Sequence, residues 1–357
     1  MTLYLILFIL LFFYAVIDRI SPRIPSLLIF ISIGFILFVI AGFRSSNVDR
    51  DYLPYVDYFQ SIKEFGFYFQ NAYWSYAEPF YYFIPLMFRF LSNGYYIELT
   101  FLMFALVGVC FKLRGIYLLT SYWALSLLIY YSNFFLLHEM TQIRIGVATG
   151  LFLIAIKHYV DKDNFKSLFA IILALMFHYS SFLMFSIFLL KRDKIKFVNY
   201  FILLGLSIVC YFLNVNLLIL ISKIASIPKI LVYINLMSQG YHSEINVFNI
   251  ILLFNLAITL VMSYKITLIQ ESNKYAMVLL KLNYISIISF IILYSFPVAA
   301  FRISEIFGIV QIVLYTQLTY VFKEKWFSYF LVFTYCILYF YMNIYRNHVL
   351  YDYKLIF

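Results

Sequence analysis

Long apolar stretches separated by short polar turns run through almost the whole chain. A helix needs roughly 17–25 residues to cross a bilayer, and most of these stretches are about that long. The clearest ones cover residues 3–17, 24–43, 95–111, 116–137, 140–160, 198–213, 247–264, 275–296, 304–321 and 327–343. The pattern predicts an all-α, polytopic integral membrane protein: one transmembrane domain over residues 1–357, with about 10–12 membrane segments that include re-entrant or broken helices.

Two of the apolar segments do not fit a simple crossing. Residues 78–91 contain Pro79 and Pro85, and a helix of this length reaches only about 20 Å, less than the hydrocarbon thickness of about 30 Å. Residues 167–190 lie between two basic stretches, which a single crossing would place on opposite sides, against the positive-inside rule. A hairpin with its tip at residues 178–181 removes this conflict, whereas the alternative is one straight helix with these residues midway.

The positive-inside rule also orders the remaining segments. The basic residues between spans then lie in the cytoplasm, and Lys112 and Arg114 occupy a turn between two neighbouring spans. Residues 44–77 and 214–246 become the first and second external loops. The second loop is expected to hold interfacial helices, because lysines and a proline interrupt its apolar stretch.

Composition agrees with a membrane protein. The chain is 65% hydrophobic and only 12% charged, whereas soluble domains are roughly a quarter charged. The formal charge of +10 fits cytoplasmic loops that face anionic membrane lipids. No cluster of Lys and Arg is large enough to form a nucleic-acid groove, so no nucleic-acid partner is expected. The cysteines, Cys110, Cys210 and Cys336, have neither metal nor redox spacing.

Three arginines fall at the external face under this assignment: Arg44, Arg144 and Arg302. Arg302 and Glu305 are the only formal charges in residues 284–321, and a charged residue in such a stretch usually marks a functional site. A guanidinium stays charged at any depth and binds two phosphate oxygens at once. The three arginines therefore predict a site for a lipid-linked pyrophosphate.

The alternative is that each arginine forms a separate ion pair. The pairs would be Arg44 with Asp49 or Asp51, Arg144 with Glu139, and Arg302 with Glu305. The two aspartates also resemble the paired acids of metal-dependent sugar transferases, but that pattern is short, and the chain has no other metal-ligand spacing. A leaving pyrophosphate neutralised by arginines does not require a divalent ion, so we predict no metal and no cofactor.

Other polar residues lie inside or beside the apolar runs. His178 is flanked on both sides by long apolar stretches, and Gln142 lies close to Arg144, together with His138 and Glu139. A histidine in such a position either completes a hydrogen-bonded core or acts as a base. The residue pattern leaves both interpretations open.

Four short motifs follow one another along residues 43–321. They are Phe43, Arg44, Asp51, Tyr52 and Tyr55, then Gln142, Ile143, Arg144, Gly146 and Ala148, then Phe177, His178, Ser180 and Ser181, and finally Ala300, Phe301, Arg302 and Ile303. In this order they resemble the EpsG-like family of Wzy-type polysaccharide polymerases. Two residues depart from the family pattern: Ile145 stands where Gln is common, and Val48 where Gly is common.

The resemblance implies a membrane glycosyltransferase-like polymerase in the bacterial inner membrane, with its active site facing the periplasm. Its donor and acceptor would both be oligosaccharides linked to undecaprenyl pyrophosphate, which it would polymerise into O-antigen or capsular polysaccharide. A chain-length regulator protein is a candidate partner. The alternatives are an O-antigen ligase, which uses the same donor, and a flippase or transporter of lipid-linked glycans. No internal repeat is visible to support a transporter.

The resemblance also implies roles for individual residues. Arg302 and Arg144 would hold the donor pyrophosphate, and Arg44 would share that role or orient the acceptor carrier. Either Asp51 or His178 would take the proton of the acceptor hydroxyl. Three further residues are expected to bind substrate: Tyr55, Gln142 and Glu305.

Overall fold

The computed structural model describes residues 1–20, 26–62, 64–70, 77–92, 94–215 and 245–356. Its α-helices are α1 (Thr2–Ile20), α2 (Ser26–Gly42), α3 (Tyr52–Ser61), α4 (Phe67–Gln70), α5 (Pro79–Leu91), α6 (Tyr96–Leu119), α7 (Trp123–Ile129), α8 (Ile143–Val160), α9 (Asn164–Phe177), α10 (Phe197–Phe212), α11 (Ile250–Tyr264), α12 (Ile266–Ser272), α13 (Ala276–Ile292), α14 (Pro297–Gly308), α15 (Gln311–Leu314) and α16 (Lys325–Tyr341). The π-helical segments are Tyr130–Glu139 and Met342–Arg346, and the 3-10 helices are Tyr179–Leu189 and Tyr315–Tyr320. The described residues contain isolated antiparallel bridges but no β-strand, so the all-α class is confirmed.

Several helices in the described part of the chain are long and apolar enough to cross a membrane. Four qualify by length and composition: Thr2–Arg19, Tyr96–Leu119, Ile143–Val160 and Lys325–Arg346. Bent pairs raise the number to six: Ile250–Tyr264 with Ile266–Ser272, and Pro297–Gly308 with Gln311–Tyr320. The prediction of about 10–12 membrane segments also counted shorter apolar helices. These helices have 10–17 residues and are too short to qualify as membrane spans by length alone. The polytopic class with broken helices is confirmed.

The chain forms two compact units. The first unit comprises residues 1–188 and 312–357, and the second comprises residues 189–311. At the centre of the first unit, α6 packs against both α2 and α8. The loop after α2 carries Arg44, and the first turn of α8 carries Arg144.

The directions of these helices place the two arginines at the same end of the first unit. Gly108 and Gly115 of α6 lie beside Val147 and Leu153 of α8, so the two helices run in parallel. Helix α2 runs antiparallel to α6, because its residues 34 and 42 face residues 113 and 102 of α6. The end of α2 and the start of α8 therefore lie at the same end of the first unit. We call this the arginine end.

Glycines allow α6 and α8 to approach closely. A Cβ on Gly115 would lie 2.6 Å from the Cβ of Leu153, and a Cβ on Gly150 would lie 2.8 Å from the Cβ of Phe111. Atoms at these distances would clash, so a larger residue at either position would force the helices apart. Small residues at helix crossings are a common way to pack membrane helices tightly.

The chain reverses direction between α9 and the 3-10 helix that follows it. In the first turn of α9, the Ser167 hydroxyl donates to a carbonyl near the end of α8, at 3.0 Å. Beyond the other end of α9, the Tyr179 N–H bonds Glu78, beside the start of α8. Phe188 then contacts Tyr159, near the end of α8, with 5.6 Å between ring centroids. The predicted hairpin is confirmed, and the straight helix is excluded.

Helix α5 does not cross the first unit. It begins after Glu78, beside Arg144, and ends near Arg89, whose guanidinium donates to the Ile62 carbonyl and the Tyr96 hydroxyl. Tyr96 begins α6, which starts at the arginine end because it runs parallel to α8. Both ends of α5 therefore lie at the arginine end, as predicted for a short segment that contains prolines.

Both chain termini contact the arginine end. The Ser45 N–H donates to the Lys354 carbonyl at 2.9 Å, and an antiparallel bridge joins Arg44 to the C-terminal segment. The N-terminal ammonium of Met1 pairs with Asp352. The start of α1, the loop after α2 and the C-terminal residues are thus held together at one end of the bundle.

The second unit contains a buried row of polar side chains between α11 and α13. Asn283 on α13 donates to Thr259 on α11 at 2.7 Å and accepts from Gln311 at 2.9 Å. Side-chain hydrogen bonds of this kind hold apolar helices together in a membrane. Most of the predicted loop 214–246 lies outside the described residues, so its interfacial helices stay a prediction.

The structure corrects the expected position of Lys112. Lys112 and Arg114 do not lie in a turn between two spans, because Tyr96–Leu119 is one continuous helix. The Lys112 Nζ lies 3.0 Å from Glu139 and donates to the Gly146 carbonyl at 2.9 Å, and both charged side chains are buried. The apolar helix tolerates the lysine because a carboxylate and a carbonyl compensate its charge.

We predict that Lys112→Met destabilises the protein by about 3–5 kcal/mol, because the Glu139 carboxylate would stay buried without its cationic partner. The double variant Lys112→Met/Glu139→Leu removes both charges and should recover most of this loss. Thermal unfolding of the purified protein in detergent measures both effects. Equal unfolding temperatures for the single and double variants would contradict the prediction.

Single-cysteine labelling tests the arrangement of the helix ends. In a variant without the three native cysteines, Asn47→Cys and Lys354→Cys should react with an impermeant thiol reagent from the same side, since both positions lie at the arginine end. Asn164→Cys, at the start of α9, should react only from the other side. Labelling of all three positions from one side would show that the arrangement is wrong.

Candidate functional site

A buried carboxylate joins three separate elements at the arginine end. The Oε2 atom of Glu78 lies 2.7 Å from Nη1 of Arg144, and its Oε1 atom lies 3.1 Å from Nδ1 of His178. Oε1 also accepts a hydrogen bond from the Tyr179 N–H at 3.3 Å. We call Glu78, Arg144 and His178 the Glu78 cluster. It brings two of the predicted site residues, Arg144 and His178, onto one carboxylate.

Each member of the Glu78 cluster lies where a helix begins or ends. Glu78 precedes Pro79, whose fixed φ and missing N–H suit the first position of α5. Arg144 lies in the first turn of α8, just after the π-helical segment that ends at Glu139. His178 is the extended residue that ends α9. Polar side chains gather at these breaks because helix ends leave backbone groups that need partners.

The backbone beside Glu78 is also held in place. The Ala77 carbonyl accepts hydrogen bonds from the hydroxyls of Tyr68, at 3.0 Å, and Tyr179, at 2.9 Å. Tyr179 therefore holds this segment through its hydroxyl and through its backbone N–H. These contacts attach the start of α5 to the turn that follows α9.

The partners of Glu78 keep its carboxylate ionised. Burial acts to raise the pKa of the carboxyl, but the hydrogen bond to His178 and the charge of Arg144 outweigh burial and lower the pKa to about 2. A carboxyl whose pKa is lowered on folding stabilises the folded state above its unfolded pKa. That contribution is lost only as the pH falls toward 2, so the carboxylate is charged at any ordinary pH.

Arg144 is the accessible member of the Glu78 cluster. Its side chain is 26% exposed, whereas that of Glu78 is 5% exposed. The guanidinium lies 4.3 Å from the ring centroid of Tyr81, and Tyr58 stacks on Tyr81 at 4.2 Å. A carboxylate on one edge and an aromatic ring on one face hold the guanidinium in a single orientation. Part of the arginine is therefore exposed in a fixed orientation.

Arg44 is part of the fold. Its side chain is fully buried, its Nε lies 2.7 Å from the carboxylate of Asp49, and its Nη1 donates to the Ala41 carbonyl at 2.6 Å. The other oxygen of Asp49 accepts the Asp51 N–H at 2.9 Å. This geometry matches the interpretation of Arg44 as an ion pair with Asp49. It does not fit direct contact between Arg44 and substrate, because the guanidinium is enclosed.

Three more of the predicted site residues lie at the arginine end. Tyr55 is buried, and the Arg144 guanidinium lies 5.9 Å from the centroid of its ring. Asp51 precedes α3, is partly exposed and lies 4.0 Å from Arg50. Gln142 directly precedes α8. Proximity to the Glu78 cluster is shown for Tyr55, and the roles of all three residues stay predictions.

Arg302 and Glu305 belong to the second unit. Arg302 is exposed in the second turn of α14, beside the exposed ring of Phe301. None of the acidic side chains that the structure describes lies within ion-pair distance of its guanidinium, so the alternative pair with Glu305 is not formed. The roles of Arg302 and Glu305 in binding substrate stay predictions.

Glu78 is the site residue that sequence reasoning missed. The alternative pair of Arg144 with Glu139 is wrong, because Glu139 pairs with Lys112 and Arg144 pairs with Glu78. One signal was present: Glu78 is the only acidic residue in residues 65–97, and it stands directly before a proline. An acid that begins an apolar helix is a candidate partner for a distant cation.

Within the described ranges, no group of three or more His, Cys, Asp or Glu side chains is arranged to hold a metal ion. Of the paired acids Asp49 and Asp51, the carboxylate of Asp49 is engaged by Arg44 and by a backbone N–H. Asp49 therefore has a structural role in the loop after α2.

These observations define an α-helical, multi-pass membrane protein in which broken helices gather a partly exposed arginine, a histidine and a buried carboxylate at one end of a bundle. The model of the EpsG family matches residues 26–355, nearly the whole chain. The chain belongs to the EpsG family, a family of Wzy-like polysaccharide polymerases, as the four motifs indicated. No curated protein and no solved structure matches the chain.

We predict that Arg44→Lys lowers stability by about 1–3 kcal/mol, because one ammonium cannot reproduce the bonds of the planar guanidinium to Asp49 and the Ala41 carbonyl. Polymer length per molecule of protein should not change. Unfolding temperature and a glycan ladder normalised to protein level measure the two effects. A shortened ladder at wild-type stability would contradict this prediction and indicate that Arg44 contacts the substrate.

Proposed function

We propose that the protein polymerises oligosaccharide repeat units linked to undecaprenyl pyrophosphate into O-antigen or capsular polysaccharide, at the outer face of the bacterial inner membrane. Membership of the EpsG family supports polymerisation. The observation that carries the rest is the partly exposed guanidinium of Arg144, held in one orientation by Glu78 and Tyr81. Such a group suits a pyrophosphate better than it suits a neutral sugar.

The proposed reaction transfers a growing glycan from its lipid carrier to another lipid-linked unit. A hydroxyl of the acceptor's terminal sugar attacks the anomeric carbon of the donor, a glycosidic bond forms, and the bond to the carrier's pyrophosphate breaks. The acceptor hydroxyl loses its proton to a base, and the lipid pyrophosphate leaves with the electron pair. Negative charge therefore grows on the leaving pyrophosphate during the reaction.

Arginines stabilise this charge in the proposed mechanism. A guanidinium has five N–H donors in a fixed plane, so Arg144 can keep its bond to Glu78 and still bind phosphate oxygens. Arg302, exposed and without a described acidic partner, is the second candidate for the same task. Donors that are already oriented toward developing charge lower a barrier without reorganisation, and one such donor contributes about 3–4 kcal/mol.

The positive-inside rule supports an outer location for the arginine end. Lys162, Lys166, Lys323 and Lys325 all flank helices at the opposite end of the first unit. Lipid-linked repeat units are then bound at the membrane surface, among membrane lipids, and a chain-length regulator protein is a candidate partner at the same face. An O-antigen ligase would use the same donor chemistry, and the two functions differ in the acceptor.

We predict that Arg302→Lys and Arg144→Lys each collapse the glycan ladder toward a single repeat unit while the protein still accumulates in the membrane. Lysine keeps the charge but lacks the planar fork that binds two phosphate oxygens. The expected loss is about 10²–10³-fold in rate, the usual effect of removing one oriented donor. Gel analysis of the surface polysaccharide, normalised to membrane protein level, measures the result.

Arg50→Lys is the matched control, because Arg50 is an exposed arginine at the arginine end that lies outside the Glu78 cluster. Its ladder should be that of the wild type. If Arg302→Lys or Arg144→Lys also gives a wild-type ladder at normal protein level, that arginine does not bind the pyrophosphate. If the arginine variants instead lose transfer of glycan to lipid A-core while a ladder still forms on undecaprenyl pyrophosphate, the result would favour a ligase.

A further inference from the structure

The Glu78 cluster determines which ring nitrogen of His178 carries the proton. An ionised carboxylate can only accept hydrogen bonds, so Nδ1 of His178, which lies 3.1 Å from Glu78, must be the donor. In the neutral ring the other nitrogen, Nε2, then has the lone pair. The carboxylate thus places the basic lone pair of His178 on Nε2, an atom that is itself buried.

We propose that Glu78 is a positioning residue that orients His178 as the base for the acceptor hydroxyl, an inference that rests on the polymerase function proposed above. The acceptor hydroxyl gives its proton to Nε2 as its oxygen bonds the anomeric carbon and the lipid pyrophosphate departs. The imidazolium that results is stabilised by the carboxylate at Nδ1 and releases its proton to water. Glu78 itself keeps its charge throughout.

The same carboxylate also fixes Arg144, and this relation favours His178 over Asp51 as the base. Arg144 bonds one oxygen of Glu78 and His178 bonds the other. A group that binds the leaving pyrophosphate and a group that accepts the acceptor's proton are thus held in a constant relation. The reacting groups of donor and acceptor need such a fixed separation to meet in line. Asp51 is partly exposed, and its carboxylate lies 4.0 Å from Arg50, outside the Glu78 cluster.

The variant Glu78→Gln distinguishes orientation from simple packing. Arg144 is always a donor, so it should draw the amide oxygen of Gln to the position of Oε2. The amide NH₂ would then face Nδ1 of His178, which would have to accept a hydrogen bond and leave the proton on Nε2. The side chain keeps its shape and volume, but the tautomer of His178 reverses and the base is lost.

Nitrogen-15 NMR of histidine-labelled protein in nanodiscs tests the tautomer without any assay of activity. His178→Gln identifies the His178 resonances, because they disappear in that variant. We expect the wild-type ring to be protonated at Nδ1 and the Glu78→Gln ring to be protonated at Nε2. An unchanged tautomer in Glu78→Gln would overturn the proposal.

A kinetic cycle tests the role in the reaction. Purified protein would be supplied with the undecaprenyl-pyrophosphate-linked repeat unit that accumulates in cells lacking the polymerase. Glu78→Gln and His178→Gln should each lower kcat by about 10²–10⁴-fold, the usual contribution of a general base. The double variant should lose little beyond either single one, because Glu78 acts through His178. Losses that multiply in the double variant would overturn the proposal.

Two further variants keep the test decisive if Glu78→Gln folds poorly. Glu78→Asp retains the charge, the acceptor oxygens and the tautomer, so it should recover more activity than Gln at a comparable protein level. Asp57→Asn, which removes an exposed carboxylate from α3, is the control for acid loss at the arginine end and should leave kcat unchanged. Equal activity of Glu78→Asp and Glu78→Gln would contradict the role of the charge.

Failure of this inference can be told apart from failure of the proposed function. If the wild-type protein makes no polymer from the lipid-linked unit, the function is wrong. If the wild type makes polymer and Glu78→Gln matches it in rate and tautomer, the function stands and Glu78 is not a positioning residue. Full loss in Asp51→Asn with normal activity in His178→Gln would assign the base to Asp51 and overturn the inference.

Discussion

A carboxylate buried in an apolar bundle must be compensated, and the arginine end of the first unit is built around that requirement for Glu78. An isolated buried charge costs several kcal/mol, so the fold is stable only when Arg144 and His178 reach the two oxygens of Glu78. These partners come from α8 and from the turn after α9. The start of α5, the start of α8 and the reversal at His178 therefore have to form together. One electrostatic constraint thus positions the elements that surround the candidate site.

The breaks in the helices make this arrangement possible. An unbroken membrane helix satisfies its own backbone and presents mostly apolar side chains, so it offers few places for a charged cluster. Here the π-helical segment ends at Glu139, α9 ends at His178, and Pro79 begins α5. A second buried pair, Lys112 with Glu139, lies beside the same break, and Lys112 also donates to the Gly146 carbonyl in the first turn of α8. The first turn of α8, which carries Arg144, is consequently held by Glu78 and by Lys112.

Local pattern and charge predicted the parts of this fold that depend on one stretch of chain. The basic stretches on either side of residues 167–190 predicted the hairpin, and the prolines and length of residues 78–91 predicted a segment that does not cross. The order of four motifs predicted the EpsG family. The sequence did not predict the partners of Arg144 and His178. Glu78 is 66 residues from Arg144 and 100 residues from His178, and no periodicity links positions so far apart.

Lys112 shows the same limit of the sequence analysis, here for a charged residue that was expected in a turn and is buried in a helix. A lysine followed by an arginine between two apolar runs was interpreted as a turn, because hydropathy cannot distinguish an exposed charge from one neutralised inside a helix. The carboxylate that neutralises Lys112 lies 27 residues away, on a neighbouring segment. Of the predicted arginines, Arg44 is enclosed in the fold, whereas the side chain of Arg144 is partly exposed. The two arginines differ in burial, and the motifs alone do not reveal how deeply a side chain is buried.

Reconstitution with purified components tests the central claim most directly. The protein, in nanodiscs and free of other glycan enzymes, would receive only the lipid-linked repeat unit, and both products would be followed over time. The account predicts a ladder of glycans on undecaprenyl pyrophosphate, with one molecule of undecaprenyl pyrophosphate released for each unit added. Release of the carrier without a ladder, or a substrate that stays unchanged in the presence of folded protein, would contradict it.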